Sequence, residues 1–213
     1  MRALLEKLQD LYGRGDDEKA AQFRLTDRGI WHPTPLAVLA AAIPLVVEAN
    51  LLEARGRPAQ VFDAGAGDGR LLAALALGLD ATVSVRLGGL ESDASLAATA
   101  RERLDTVARW GVVPNRVSRV AEGDFFDPRA YELVGLVPRD LDVVFNYPDG
   151  NERRLLQWLA EKGGPQTRLA ILSPDHDPAL GGAPEWRAPV RAEGDAAALW
   201  TLTVFAPAST GRW

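Results

Sequence analysis

Apolar positions along this chain fall into two periods. In residues 3–12, Leu4, Leu5, Leu8 and Leu11 recur at helical spacing and predict a short amphipathic helix. The segment "GRGDDEK" breaks it, and "RLTDRGIWHPTP" reads as a turn-rich link. Leu36 to Val47 is a nearly continuous apolar helix, for which Thr34 and Pro35 form an N-cap and first-turn pair. From Gln60 short apolar runs alternate with longer amphipathic ones. "QVFDA", "TVSVRLGGLE", "RVSRVAEGD", "LDVVFN" and "TRLAILS" read as strands, and the stretches between them as helices, the one in "DPRAYELVG" short. After residue 184 the pattern changes to two strands joined by a turn at Glu193, Gly194 and Asp195.

Buried strands alternating with helices predict an α/β fold, a doubly wound, mostly parallel sheet of seven strands closed by a C-terminal antiparallel hairpin. Residues 1–30 read as an N-terminal helical extension and 31–213 as the main domain. In such sheets ligands bind where the strands end, near the topological switch.

Composition narrows the chemistry. There is no cysteine, which excludes disulfides, thiolate metal sites and cysteine nucleophiles. The two histidines, His32 and His176, are too few for a histidine-rich metal centre, and each is a candidate general base set against the commoner structural role. The N-terminus mixes charge and apolar residues unlike a signal peptide, and Leu36–Val47 is too short to span a bilayer. The reading is a soluble, cytoplasmic protein with no membrane partner. A net charge of −5 argues against a partner held through phosphates. Arg101, Arg103, Arg109, Arg116 and Arg119 lie close in sequence and read as a solvated helix face and loop.

The chemistry-bearing stretch is "VFDAGAGDGR", residues 61–70. Gly65, Gly67 and Gly69 permit a tight strand-to-helix turn and close approach of a ligand to the backbone around Ala66. A dinucleotide fingerprint needs a third glycine where Arg70 stands, and a phosphate loop needs a Lys and Ser or Thr that are absent. Asp63 and Asp68 flank the turn; two carboxylates disfavour phosphate and suit a ligand carrying an ammonium or sulfonium.

"FDAGAGDGR" resembles the first motif of class I S-adenosylmethionine-dependent methyltransferases. Further motifs follow in the family's order: Glu91 in "GLESD", Asp124 in "EGDFFD" and Asn146 in "VVFNYPDG". The resemblance implies a Rossmann-like methyltransferase fold and S-adenosylmethionine as cofactor. It implies that Glu91 binds the ribose hydroxyls, that Asp124 receives the adenine amino group, and that Phe125 or Ser92 lies against the ring. Asp63, Gly65, Ala66, Gly67 and Gly69 would meet the methionine end.

"NYPDG" departs from the Asn-Pro-Pro-aromatic motif of amine-methylating members, since Tyr147 and Asp149 stand at its second and last places. Asn146, Tyr147, Pro148 and Asp149 are therefore the candidate substrate-facing residues, against a plain strand-end turn. "WHPTP" resembles a segment of small archaeal and bacterial protein-lysine methyltransferases related to the telomeric-silencing histone lysine methyltransferase core. That resemblance implies that Thr34 also contacts the cofactor and that a protein lysine is the leading acceptor. The alternatives are a nucleic-acid or small-molecule methyltransferase, or a cofactor-binding module without activity.

Overall fold

The computed structural model describes residues 1–14, 24–26, 29–53, 56–111, 116–174, 180, 183–192 and 200–207. Among these residues nine strands are formed: β1 (Arg24–Thr26), β2 (Gly29–Trp31), β3 (Ala59–Ala64), β4 (Val85–Glu91), β5 (Arg116–Glu122), β6 (Val143–Asn146), β7 (Arg168–Pro174), β8 (Trp186–Val190) and β9 (Trp200–Phe205). The helices are α1 (Arg2–Tyr12), α2 (Leu36–Glu48), α3 (Arg70–Gly78), α4 (Ala94–Arg109) and α5 (Glu152–Lys162).

Seven strands form one sheet in the order β5-β4-β3-β6-β7-β9-β8. The first five are parallel, and β9 and β8 complete the sheet antiparallel. This is the mostly parallel, doubly wound sheet that the alternating pattern predicts. The turn at residues 193–195 lies outside the described residues.

Alternation along β3 divides the core. Val61 belongs to the cluster under α1–α4, and Phe62 to the cluster on the opposite face. On that second face Phe62 stacks on Tyr131 at 4.3 Å, and Tyr131 on Trp158 at 5.4 Å. The "DPRAYELVG" helix forms as a 3₁₀ segment, Ala130–Val134, that carries Tyr131 into this stack.

Two local expectations are corrected. The link at 24–31 contains an antiparallel pair, with Arg24 opposite Trp31. Three-residue strands are too short to show alternation, so the sequence exposed only their turn residues. Thr34 does not cap α2. Pro35 takes the cap position in extended conformation, and its carbonyl accepts the Leu39 N–H. The Thr34 carbonyl instead accepts from Arg70 at 3.0 Å.

α1 packs into the main core. Leu8 has no exposed surface, and Leu4, Leu5 and Leu11 pack around it. A Cβ at Gly78 of α3 would press on Leu4 and Ile43, so the missing side chain permits the close approach of α1. Leu8→Ala should therefore destabilise the protein by about 2–5 kcal/mol, the cost of a core cavity. Denaturant unfolding measures this, and a loss below about 1 kcal/mol would place α1 outside the cooperative core.

Candidate active site

The sheet's register aligns the carboxyl ends of its three central strands. Ala64 of β3 pairs with Leu90 of β4 and with Asn146 of β6. Order reverses there, since β4 lies on one side of β3 and β6 on the other. A cavity of about 220 Å³ opens at this point. Its walls include Trp31 at the end of the small hairpin, His32 and Thr34 after it, Asp63–Asp68 of the turn, Glu91, Ser92, Phe125, Asn146 at the end of β6 and Tyr147 beyond it.

The turn is shaped by backbone conformation. Gly67 has φ of 53° and Gly69, the residue before α3, has φ of 82°, both in the left-handed region. A Cβ on Gly67 would also run into the Trp31 indole. The Gly65 and Ala66 N–H groups both donate to the Leu90 carbonyl, which ties the turn to β4. Glu91 fastens it further, because Oε2 accepts the Gly67 N–H at 2.8 Å and Oε1 the Asp93 N–H at 2.8 Å. Oε1 also accepts from the Ser92 hydroxyl at 3.4 Å, so Oε2 is the oxygen that keeps capacity for a second donor.

The two aspartates of the turn occupy opposite electrostatic states. Asp68 is 3% exposed. Burial pushes its carboxyl up, but hydrogen bonds and charge from Arg70, joined by Arg103, overcome this and hold it below the ordinary range. Arg70 Nε and a terminal nitrogen donate to its two oxygens at 2.9 and 2.7 Å, and Arg103 pairs with it from α4. Asp63 is 6% exposed and has no such compensation. Burial, then the charges of Glu91 and Asp68, raise its pKa to about 7.

On the opposite wall Asn146 Nδ2 donates to the Ala64 carbonyl at 3.2 Å. A carbonyl can only accept, so this bond fixes the amide orientation. Oδ1 is then left as a buried acceptor with no partner among the described residues. The Tyr147 hydroxyl lies 3.3 Å from His32 Nδ1, and the two rings stack at 5.8 Å. Burial, helped by the Arg70 charge, lowers the His32 pKa, so the imidazole is neutral at pH 7. Burial also raises the Tyr147 phenol.

No protein-family model and no curated protein matches the chain in sequence. Solved structures match its shape. An RNA methyltransferase from Salinibacter ruber, in complex with S-adenosyl-L-homocysteine, aligns at TM-score 0.51 and 24% identity, over 79% of this chain and 94% of that one. The rRNA methyltransferase aviRa from Streptomyces viridochromogenes aligns at TM-score 0.58 and 16% identity, over 93% and 96%. Magnesium protoporphyrin IX methyltransferase from Synechocystis PCC 6803, with bound S-adenosylhomocysteine, aligns at TM-score 0.55 and 14% identity, over 93% and 92%. The chain has the Rossmann-like methyltransferase fold. These likenesses do not show the protein-lysine subgroup suggested by "WHPTP".

Within this methyltransferase fold, most of the motif residues converge. Thr34, Asp63, Gly65, Ala66, Gly67, Glu91, Ser92, Phe125, Asn146, Tyr147 and Asp149 all line the cavity. Gly69 and Pro148 are not among the lining residues; Gly69 is the residue before α3. Asp124 stands apart from the lining. β5 ends at Glu122, and Asp124 Oδ1 accepts the Phe126 N–H at 2.8 Å. Asp149 is exposed on the rim and holds the Asn151 N–H at 2.9 Å. His176 lies outside the described residues.

Two expectations change. Asp68 is neutralised by two guanidiniums, so the turn presents the charge of Asp63, not of both aspartates. Arg103 is not a solvated helix-face residue, since it turns inward to Asp68. Arg70, Arg103 and Tyr12 are the site residues that sequence reasoning missed. The available signal was Arg70 itself, a charge opening the otherwise apolar helix "RLLAALALG". A buried arginine requires a partner.

Asp63 also sets a stability test. Its native pKa of about 7 lies above the ordinary 3.8, so the folded chain holds a proton between pH 4 and 7 that the unfolded chain has lost. Stability contributed by this group is therefore complete below about pH 4 and lost as pH rises through 7. Asp63→Asn should stabilise the protein at pH 8 by up to roughly 4 kcal/mol, with the gain fading toward pH 4. Urea unfolding at the two pH values checks it; equal midpoints at pH 8 would show that Asp63 carries no such burden.

Proposed function

We propose that this chain is an S-adenosylmethionine-dependent methyltransferase that methylates nitrogen, with a protein lysine as the leading acceptor class. The observation that carries the reading is the pair of uncompensated buried acceptors at the strand ends, the Asp63 carboxyl and Asn146 Oδ1. Both line one cavity of the methyltransferase fold.

The lining fits the cofactor. Asp63 gains its missing counter-charge from a cationic ligand, which relieves the burial cost. Glu91 Oε2 has a lone pair free for one hydroxyl and Oε1 can take a second in place of the Ser92 hydroxyl, while Phe125 and Leu96 offer apolar surface for a planar base. When bound, S-adenosylmethionine supplies a methyl carbon activated by its sulfonium.

The chain's own groups then position the acceptor. Asn146 Oδ1 and the Tyr147 carbonyl accept hydrogens from the target nitrogen and fix the direction of its lone pair, and placement supplies most of the rate. A lysine amine, with an unperturbed pKa of about 10.4, must also lose a proton. Neutral His32, hydrogen-bonded to the Tyr147 hydroxyl, can receive it. Burial of the surrounding walls excludes water. A rim bearing Asp149, rather than a cluster of cations, favours a cationic acceptor over a polyphosphate one.

Calorimetric titration with S-adenosylmethionine should show affinity falling as pH drops below about 7, where Asp63 is protonated, with proton release on binding near pH 6. Asp63→Asn should weaken binding by about tenfold or more. PH-independent affinity without proton release would remove Asp63 from the cofactor site.

Incubation with methyl-labelled cofactor and cell lysate tests the acceptor. Label should enter protease-sensitive, nuclease-resistant material, and Asn146→Ala should cut transfer by about 10²–10³ with cofactor affinity nearly unchanged. Nuclease-sensitive label would establish a nucleic-acid acceptor, the activity named for two structural neighbours. Binding with no transfer would favour a non-catalytic module.

A further inference from the structure

One residue of the buried cluster beside the cavity, Tyr12, has no part in the chemistry above. Tyr12, the last residue of α1, is 8% exposed. Its ring lies under two guanidiniums: the Arg103 carbon is 4.2 Å from the ring centroid and the Arg70 carbon 5.1 Å. Its hydroxyl lies 3.4 Å from the Asp68 carbonyl and donates to it. Arg70 is also 5.7 Å from the Trp31 ring, and Trp31 rests against Gly67. Both arginines pair with Asp68. Tyr12 therefore touches, directly or through one neighbour, both sides of the turn from Gly67 to Arg70.

We propose that α1 is a brace for the glycine turn, and that Tyr12 is the positioning residue through which it acts. Tyr12 supplies the π face that holds Arg70 and Arg103 in one arrangement around Asp68, the long hydroxyl contact to the Asp68 carbonyl adding little. That arrangement fixes Gly67, whose N–H is the donor to Glu91. The turn and Glu91 form two walls of the cavity, so docking of α1 and occupation of the cavity favour the same backbone shape. By linkage each strengthens the other. The identity of the occupant rests on the function proposed above; the brace does not.

The aromatic ring is the component that a simple core contact would not require. Leu8, one turn earlier in α1, fills the apolar core and offers no π face or hydroxyl. Tyr12→Phe retains the ring and loses only the hydroxyl, whereas Tyr12→Ala removes the surface on which both guanidiniums lie. Leu159→Ala, in α5 on the opposite face of the sheet, serves as the control for general destabilisation.

Hydrogen exchange of the unliganded full chain, followed by mass spectrometry, reads the turn directly. Tyr12→Ala should speed exchange of the peptide covering residues 64–70 by about fivefold or more, with Tyr12→Phe and Leu159→Ala within about twofold of the unmodified chain. Titration with S-adenosylhomocysteine should weaken by about tenfold for Tyr12→Ala and by less than about threefold for Leu159→Ala. The same ligand should slow exchange of residues 2–12. Unchanged exchange at 64–70 in Tyr12→Ala, or an equal rise in Leu159→Ala, would overturn the brace. An unmodified chain that does not bind S-adenosylhomocysteine would overturn the proposed function, while the exchange comparison without ligand still decides the brace.

Discussion

The structure of the site depends on one buried ion cluster, Asp68 with Arg70 and Arg103. A carboxylate at 3% exposure is tolerable only when its charge and its lone pairs are both met. Here Arg70 meets it from the start of α3 and Arg103 from within α4. Around this cluster the glycine turn, two helices of one sheet face and the last residue of α1 become a single packed unit. Breaking it would leave charges stranded in the core, so these segments are obliged to keep one relative position. The cavity inherits its shape from that constraint.

Asp63 shows what the same cluster makes available. It stands five residues from Asp68 and is nearly as buried, but no guanidinium of the described residues pairs with it, and burial, then the charges of Glu91 and Asp68, raise its pKa to about 7. The fold compensates one carboxylate completely and leaves the other without a counter-charge among the described residues. Asn146 repeats this on the neighbouring strand, where one end of its amide is satisfied by Ala64 and the other is buried without a partner among the described residues. Groups left in this state cost stability, and such costs concentrate where a ligand is to supply what is missing.

The parallel sheet brings these groups together. Asp63, Glu91 and Asn146 are separated by dozens of residues, yet each sits at or beside the carboxyl end of its strand, and the register sets those ends level. The small β1–β2 hairpin then places His32 against Tyr147 from across the cavity.

Much of this was legible in the sequence. Period-two and period-3.6 patterns decide strand and helix because one face of each must be buried, and they located the strands and helices of the main sheet. The glycine turn and the motif order marked the carboxyl ends. Three things required tertiary structure. Arg103 looks like any solvated helix arginine until α4 is docked beside Asp68, because ion pairing depends on distance in space. The hairpin at 24–31 is too short for periodicity to register, so its pairing emerges only from backbone hydrogen bonds. The opposite states of Asp63 and Asp68 are invisible in a string where both are simply acidic. Burial raises both carboxyls, and only the docked guanidiniums separate them. Local pattern by itself determined the elements and their order; which charges are paired, and which are buried without a counter-charge, was decided by packing, since desolvation exists only in the folded chain.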